Sequence, residues 1–259
     1  MKNAVKVVAA ADLHGIASPD RLLAYAVRHR ADAIVIAGDV QTAVLGVDPR
    51  MHFENSFLPM VRKAQDYCME IVLVPGNHDT YIRDALDSDS RKRWYGNLHV
   101  LVDKRETICG LDFYGTPWVP YINGIWAYEE HDVDLAKRFA NIPRGIDFLV
   151  AHTPPLGIDS HGEHWDVSLG SARCGYFRHF GSAALRAAVE LTRPKFLVCG
   201  HIHTGDHEPG TIGKTTVLNV SLLSEGYTES YSPSEIVVSM DGSKHNMVRI
   251  NGGKRWKKL

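Results

Sequence analysis

The chain has 259 residues, of which 44% are hydrophobic and 23% are charged, and its formal net charge is -1. This composition is ordinary for a soluble globular protein, and it excludes an overall basic surface of the kind that binds nucleic acid or membranes. No apolar run is long enough to cross a bilayer, and the first residues lack the pattern of a secretion signal, so we expect a soluble cytoplasmic protein.

The first half of the chain alternates predicted strands and helices. Apolar runs that end at Gly, Pro or Asp predict strands over residues 4–11, 31–37 and 70–75. Helical patterns over residues 19–30 and 55–67 lie between them. This alternation at short spacing is typical of right-handed βαβ units and a largely parallel sheet.

The second half is less regular. Predicted strands over residues 99–102 and 107–115 begin a second sheet, for which we expect antiparallel pairing, and an aromatic loop follows over residues 116–128. The remaining predicted helices and strands lie at residues 132–141, 147–151, 181–191, 196–199, 215–220 and 236–240. Because we find no repeat or linker, we predict a single domain over residues 1–259.

The four cysteines are expected to be reduced. They form no CxxC pair, and each lies in or beside an apolar stretch, which favours core thiols over a zinc site or a disulfide framework. These residues are Cys68, Cys109, Cys174 and Cys199.

Residue types that bind metals follow five of the predicted strands. In chain order they are Asp12 and His14, Asp39, Asn77 and His78, His152, and His201 and His203. A single Asp after a strand is usually a helix cap, and a single His is usually a satisfied polar residue. Recurrence at five strand ends favours a common site instead, because the carboxyl ends of adjacent parallel strands lie side by side.

The types of ligand in this set predict a site for two ions. Imidazole, carboxylate and amide groups without a thiolate suit Mn, Fe, Zn or similar ions. One shared carboxylate could hold two ions at roughly 3.5–4 Å, the separation that suits phosphoryl transfer. Gly38, Gly76 and Gly200 stand beside these residues, at turns where a Cβ would crowd the ions.

The order of the motifs DLH, GDV, GNHD, a single His after a strand, and GHIH resembles the calcineurin-like metallophosphoesterases. The resemblance extends from residue 5 to about residue 240. It implies an α/β fold of four layers, an αββα sandwich in which two mixed β-sheets are flanked by helices. It also implies a phosphoesterase that uses two divalent or trivalent metal ions, with Mn²⁺ expected and Fe, Zn, Ni, Co or Mg as alternatives.

The resemblance implies two metal sites that share Asp39. The first site would use Asp12, His14, Asp39 and His203, and the second would use Asp39, Asn77, His152 and His201. His78 resembles the catalytic histidine of the family, which contacts the phosphate and protonates the leaving oxygen. Asp79 would orient the His78 imidazole.

Further segments resemble the branch named for its metallophosphoesterase domain (MPPED). They are Tyr114–Trp118, Asn123–Gly124, His152–Gly157 and Arg193–Lys195. In some animal members of this branch a glycine replaces the first histidine of the GHxH motif. The metal site of those members is impaired and is occupied by a nucleotide. That position is His201 here, so the resemblance implies a competent second site and an active enzyme.

Four aromatic residues in one loop are candidates for binding substrate: Trp118, Tyr121, Trp126 and Tyr128. The resemblance places this loop near the active site, where aromatic faces stack on a base with about 1–3 kcal/mol each. Packing of the loop against the core is the competing interpretation, and it stays open. A weaker candidate for a pocket wall lies later in the chain, at His161, His164 and Trp165.

We predict a phosphodiesterase that cleaves nucleotide-type diesters, such as cyclic nucleotides, by attack of a hydroxide that bridges the metals. A phosphomonoesterase or protein phosphatase would need additional cations, for which Arg83, Arg91 and Arg93 are candidates. A nuclease would need a cationic groove, which the near-neutral composition does not supply by itself. If nucleic acid is a partner of this protein, we expect it to be a substrate. A nucleotide-binding module with little turnover is the third alternative. The sequence leaves the oligomeric state open.

Overall fold

Two six-stranded β-sheets form the central layers of the fold. The computed structural model describes residues 4–42, 46–86, 94–157, 181–203, 207–241 and 244–251. Within these ranges the strands are β1 (Ala4–Ala10), β2 (Ala33–Ala37), β3 (Glu70–Val74), β4 (Leu98–Val100), β5 (Lys104–Ile108), β6 (Leu111–Thr116), β7 (Val119–Pro120), β8 (Glu129–Glu130), β9 (Phe148–Ala151), β10 (Phe196–Cys199), β11 (Gly210–Ile212), β12 (Thr215–Asn219), β13 (Ser234–Asp241) and β14 (Lys244–Asn251).

Helices connect several of these strands. They are α1 (Pro19–Arg28), α2 (Pro49–His52), α3 (Leu58–Gln65), α4 (Thr80–Leu86), α5 (Asp132–Phe139) and α6 (Ala183–Thr192), and a π-helical turn (Phe53–Phe57) joins α2 to α3. Side chains cap three of them. The Ser18 hydroxyl accepts from the amide of Arg21 at 3.4 Å, the Asp48 carboxylate from the amide of Arg50 at 2.8 Å, and the Ser182 hydroxyl from the amide of Leu185 at 3.2 Å. Among the described residues, no helix combines the length and the apolar character needed to span a bilayer.

The first sheet has the order β14-β13-β1-β2-β3-β4. β1 to β4 are parallel to one another, β13 pairs antiparallel with β1, and the edge strand β14 pairs antiparallel with β13. Every residue of β2 is buried, as expected for a β-branched run in the middle of a parallel sheet. The βαβ organisation predicted for the first half of the chain is therefore present.

The second sheet has the order β11-β12-β10-β9-β6-β5, and three predictions about it are corrected. The strand predicted over residues 99–102 is β4, which pairs with β3 in the first sheet. Residues 107–115 do not form one strand, because Cys109 and Gly110 take positive φ angles of 52° and 78° and turn the chain between β5 and β6. Only the edge strands β5 and β11 pair antiparallel. The strands β6, β9, β10 and β12 are parallel, since helices α5 and α6 provide crossover connections between them.

Hydrophobic residues separate the layers. Phe113, Phe148 and Phe196 stack in a row between the two sheets, with ring centroids 4.8 and 4.7 Å apart. α1 and α3 pack against the outer face of the first sheet, and α5 and α6 against the outer face of the second. The predicted four-layer αββα sandwich of two mixed sheets is confirmed.

The cysteine prediction is only partly right. Cys199 is buried in the core, but Cys68 and Cys109 are exposed. Both exposed residues have positive φ angles, 53° and 52°, at turns that follow a helix and a strand. Cys174 lies outside the described residues.

Candidate metal centre

The residues predicted to bind metals come together where the carboxyl ends of the two sheets meet. The turns after β1, β2 and β3 carry Asp12, Asp39 and Asn77, and the turns after β9 and β10 carry His152 and His201. Donor atoms lie within 4.8 Å of one another in three overlapping groups: Asp12, His14 and His203; His14, Asp39 and His78; and Asp39, His152 and His201. Asp39 and His14 link these groups into one cluster.

Four residues of this cluster have a left-handed backbone. The φ angles are 57° at Asp12, 48° at His14, 56° at Asp39 and 68° at His201. Such conformations cost about 1–3 kcal/mol each and persist where the surroundings fix them. Here the amides of Asp12 and His14 donate to the carbonyls of Gly38 and Asp39 at 3.0 Å, so each turn holds the other.

The three glycines beside the cluster make room for its side chains. A Cβ on Gly38 would overlap Nδ1 of His152, and a Cβ on Gly76 would overlap Oδ1 of Asp39. A Cβ on Gly200 would lie 2.6 Å from Oδ2 of Asp12. At Gly38 and Gly76 the crowding therefore falls first on side chains that face the site, and at Gly200 it falls on Cβ of Ala11 as well as on Asp12.

His152 is held so that its Nε2 faces the cluster. Its Nδ1 lies 2.7 Å from the carbonyl oxygen of Ala37, which can only accept, so Nδ1 carries the hydrogen and donates it. Nε2 then faces the amide oxygen of Asn77 at 3.0 Å and the carboxylate of Asp39 at 3.3 Å. Three electron-rich atoms meet there, and this arrangement requires a positive charge between them.

His203 and Asp12 repeat this arrangement. The Nδ1 of His203 lies 3.3 Å from the carbonyl of Ser224, and its Nε2 lies 3.5 Å from Oδ1 of Asp12. The carboxylate of Asp12 also accepts from the backbone amide of His201 at 3.0 Å and from the hydroxyl of Ser221.

His14 is buried, and within the described part of the chain neither of its ring nitrogens has a hydrogen-bond partner. Its Nε2 lies 3.8 Å from the carboxylate of Asp12 and 3.6 Å from that of Asp39. Burial lowers the pKa of His14 to about 4, so the imidazole is neutral at pH 7. A neutral, unpartnered imidazole between two carboxylates fits a metal ligand.

The charges of the site also fit cations. Burial raises the pKa values of Asp12 and Asp39. The nearby histidines lower both pKa values by more than burial raises them, so both carboxyls stay ionised. Burial lowers the pKa of His152, yet the charge of Asp39 raises it to about 9. Without an ion, a proton on His152 supplies the positive charge that the carboxylates demand, and a bound cation would supply it instead.

His78 and Asp79 lie between β3 and α4, immediately before the helix begins. The half-buried His78 has its ring 4.7 Å from that of His14 and 4.3 Å from that of Trp126, and its amide donates to Asp39 at 2.8 Å. The buried carboxylate of Asp79 accepts from the amides of Asp39, Gln41 and Gly76 at 2.8–2.9 Å. These contacts fix two turns of the site. The predicted effect of Asp79 on the His78 imidazole stays a prediction.

The aromatic loop is divided between the site and the surface. Trp126 contacts His78 and lines a cavity that also includes Trp118 and Tyr128. Tyr121 instead stacks on His131 at a centroid distance of 4.4 Å and is half exposed, so the structure does not bring it to the cavity. The candidates Arg91, Arg93, His161, His164 and Trp165 lie outside the described residues.

Three further residues join the site without having been predicted. The ring of Tyr227 lies 5.1 Å from those of both His14 and His203. Ser221 donates to Asp12, and the side-chain amide of Asn219 donates to the carbonyl of Ile202 at 2.8 Å. A signal existed for two of them, because Asn219 and Ser221 are polar residues at the end of β12.

The model of the calcineurin-like phosphoesterase family matches residues 5–205. The chain belongs to this family. Calcineurin-like phosphoesterases are hydrolases that use a dinuclear divalent metal centre, and the donor groups described above are candidates for one.

Curated relatives confirm the predicted branch. Human metallophosphoesterase domain-containing protein 1 is 31% identical over 132 residues, which are 51% of this chain and 37% of that protein. A Caenorhabditis elegans UPF0046 protein is 28% identical over 222 residues, 75% of this chain and 51% of the relative. The chain spans about half the length of the curated relatives it matches.

Solved structures show the same fold at low sequence identity. Thermus thermophilus TT1561 aligns with a TM-score of 0.59 and 12% identity, over 97% of this chain and 99% of that chain. A putative 5'-nucleotidase from Staphylococcus aureus aligns with a TM-score of 0.58 and 14% identity, over 96% of this chain and 54% of that chain.

Proposed function

We propose that this protein is a metal-dependent phosphodiesterase that hydrolyses nucleotide-type diesters, with Mn²⁺ as its metal and a cytoplasmic site of action. The observation that carries the proposal is the convergence of buried donor atoms on Asp39 from both sheets. Imidazole, carboxylate and amide donors suit Mn²⁺.

When bound, the ions would activate a water molecule and neutralise the phosphate oxygens. The side chains that would hold them are Asp12, His14, Asp39, Asn77, His152, His201 and His203. The residue left to move a proton is His78, because its ring is half-buried beside His14. It would donate a proton to the leaving oxygen, a step that contributes about 10²- to 10⁴-fold.

The groups in direct contact with the candidate metal ligands favour a diester over a monoester. Within the described ranges, the contacts of the seven candidate ligands are made to histidines, carboxylates, the amide of Asn77, a tyrosine, a serine and backbone groups, with no lysine or arginine among them. A monoester carries one more negative charge than a diester and is better held with an added lysine or arginine. Trp126, in contact with His78, offers an aromatic face for a nucleoside base.

The test compares bis(p-nitrophenyl) phosphate with p-nitrophenyl phosphate. The protein is stripped with a chelator and reloaded with Mn²⁺, and we expect faster turnover of the diester and no turnover in the stripped protein. Preference for the monoester would replace the proposal with the phosphomonoesterase alternative. Full activity without metal would contradict it, and a labelled oligonucleotide tests the nuclease alternative.

A further inference from the structure

A cavity of about 590 Å³ lies beside His78. Its volume is within the range of about 300–1,000 Å³ that is common for ligand pockets. The residues that line it are Arg83, Leu86, Val100, Val102, Lys104, Trp118, Trp126, Tyr128 and Glu129. They come from α4, from the end of β4 to the start of β5, from the aromatic loop and from β8.

The aromatic side of this cavity is held in place by polar contacts. Glu129 accepts from the backbone amides of Asn123, Gly124 and Trp126, which fixes the turn that carries the Trp126 ring. The indole nitrogen of Trp118 donates to Asp103 at 2.6 Å. The guanidinium of Arg138 lies 3.2 Å from the centroid of the Trp118 ring. Both indoles are therefore positioned before a ligand arrives.

Two cations also line the cavity. Arg83 and Lys104 are 42% and 58% exposed, and their ion pairs with Asp84 and Glu106 are exposed or partly exposed. Such pairs are worth little and exchange readily for a better partner. Glu129, the acidic residue of the lining, is occupied by the loop amides. The cavity therefore combines aromatic faces with positive charge.

We propose that this cavity binds the leaving group of the diester, and that it selects a leaving nucleoside that carries a second phosphate. The inference rests on the proposed function, in which His78 protonates the leaving oxygen. Since Trp126 contacts His78 and lines the cavity, a group that departs beside His78 enters next to Trp126. Its base stacks on the indoles and its phosphate meets Arg83 and Lys104.

The experiment uses the Mn²⁺-loaded protein and three thymidine dinucleotides, one unphosphorylated, one with a 5'-terminal phosphate and one with a 3'-terminal phosphate. Whichever ester bond breaks, one of the two added phosphates lies on the leaving nucleoside. Cleavage of the internal diester is followed by chromatography of the nucleoside products. We expect kcat/KM for one phosphorylated dinucleotide to exceed that of the unphosphorylated one by about three- to tenfold, the effect of two partly exposed ion pairs.

The double variant Arg83→Ala/Lys104→Ala should remove this preference, so that kcat/KM for the phosphorylated dinucleotide falls to that for the unphosphorylated one. Lys63→Ala is the matched control, because Lys63 is 55% exposed on α3 and pairs with Asp20 away from the cavity. Equal kcat/KM for all three dinucleotides would overturn the inference, as would an equal loss on every substrate in the double variant. If the wild type hydrolyses none of these diesters, including bis(p-nitrophenyl) phosphate, the proposed function itself fails.

Discussion

Replacement of Asp79 tests whether this buried carboxylate fixes the turns that carry the candidate ligands. It accepts from the backbone amides of Asp39, Gln41 and Gly76, all of which are buried. In Asp79→Asn, one oxygen can still serve Asp39 and Gly76, but the new NH₂ group faces the amide of Gln41. In Asp79→Ala, all three amides lose their acceptor.

The magnitude follows from the number of amides left unsatisfied. A buried donor without a partner costs about 1–3 kcal/mol. Burial and then the charge of Asp39 raise the pKa of Asp79 to about 7, so loss of the carboxylate also relieves some repulsion. We expect about 2 kcal/mol for Asp79→Asn and roughly 4 kcal/mol for Asp79→Ala. For a chain of this size these values correspond to falls in Tm of about 4–8 °C and 8–16 °C.

The assay is thermal unfolding of the chelator-treated variants, so that metal binding does not enter. Asp20→Asn is the control, because Asp20 is 61% exposed and pairs only with Lys63 in the described hydrogen bonds, and its Tm should stay close to that of the wild type. If Asp79→Ala unfolds within about 2 °C of the wild type, the three hydrogen bonds do not stabilise these turns, and the reasoning is refuted.

Three further predictions concern catalysis, backbone and core. His78→Ala should keep its full metal content and lose about 10²- to 10⁴-fold in kcat on alkyl diesters; loss of metal in parallel with rate would instead identify His78 as a ligand. Gly38 has a φ of 96°, and a Cβ there would overlap His152, so Gly38→Ala should bind fewer Mn²⁺ ions in a titration. Gly213 has a φ of 59° and open space around it, so Gly213→Ala should bind as many ions as the wild type. Phe148→Ala removes the middle of three stacked rings and should lower the free energy of unfolding in urea by about 3–5 kcal/mol; a loss below about 1 kcal/mol would show that the site collapses without a cavity.

The convergence at the strand ends could be predicted because each part of it is local. Apolar runs such as Ala33–Ala37 predict buried strands, and polar residues immediately after them must lie at the carboxyl edge. The argument from adjacent parallel strands accounts for Asp12, Asp39 and Asn77, which belong to one sheet. The position of polar residues after apolar runs does not indicate that His152 and His201 come from a second sheet. Only the family resemblance implied this.

The errors come from positions where the local pattern is ambiguous. Cys109 interrupts an otherwise strand-like sequence without a strong turn signal of its own, and only Gly110 beside it marks the reversal. The pairing direction of the second sheet depends on where α5 and α6 cross, which strand sequences do not encode. Tyr227 reaches His14 across more than 200 residues, and nothing in its neighbouring sequence indicates that contact.

The central claim is that Asp39 is shared by two metal ions. The most direct measurement is the Mn²⁺ content per chain, by elemental analysis after equilibration and removal of free metal, for the wild type, Asp39→Asn and His201→Ala. We predict two ions in the wild type, one in His201→Ala and substantially fewer than one in Asp39→Asn. Two ions retained in Asp39→Asn, or none bound by the wild type, would contradict the claim.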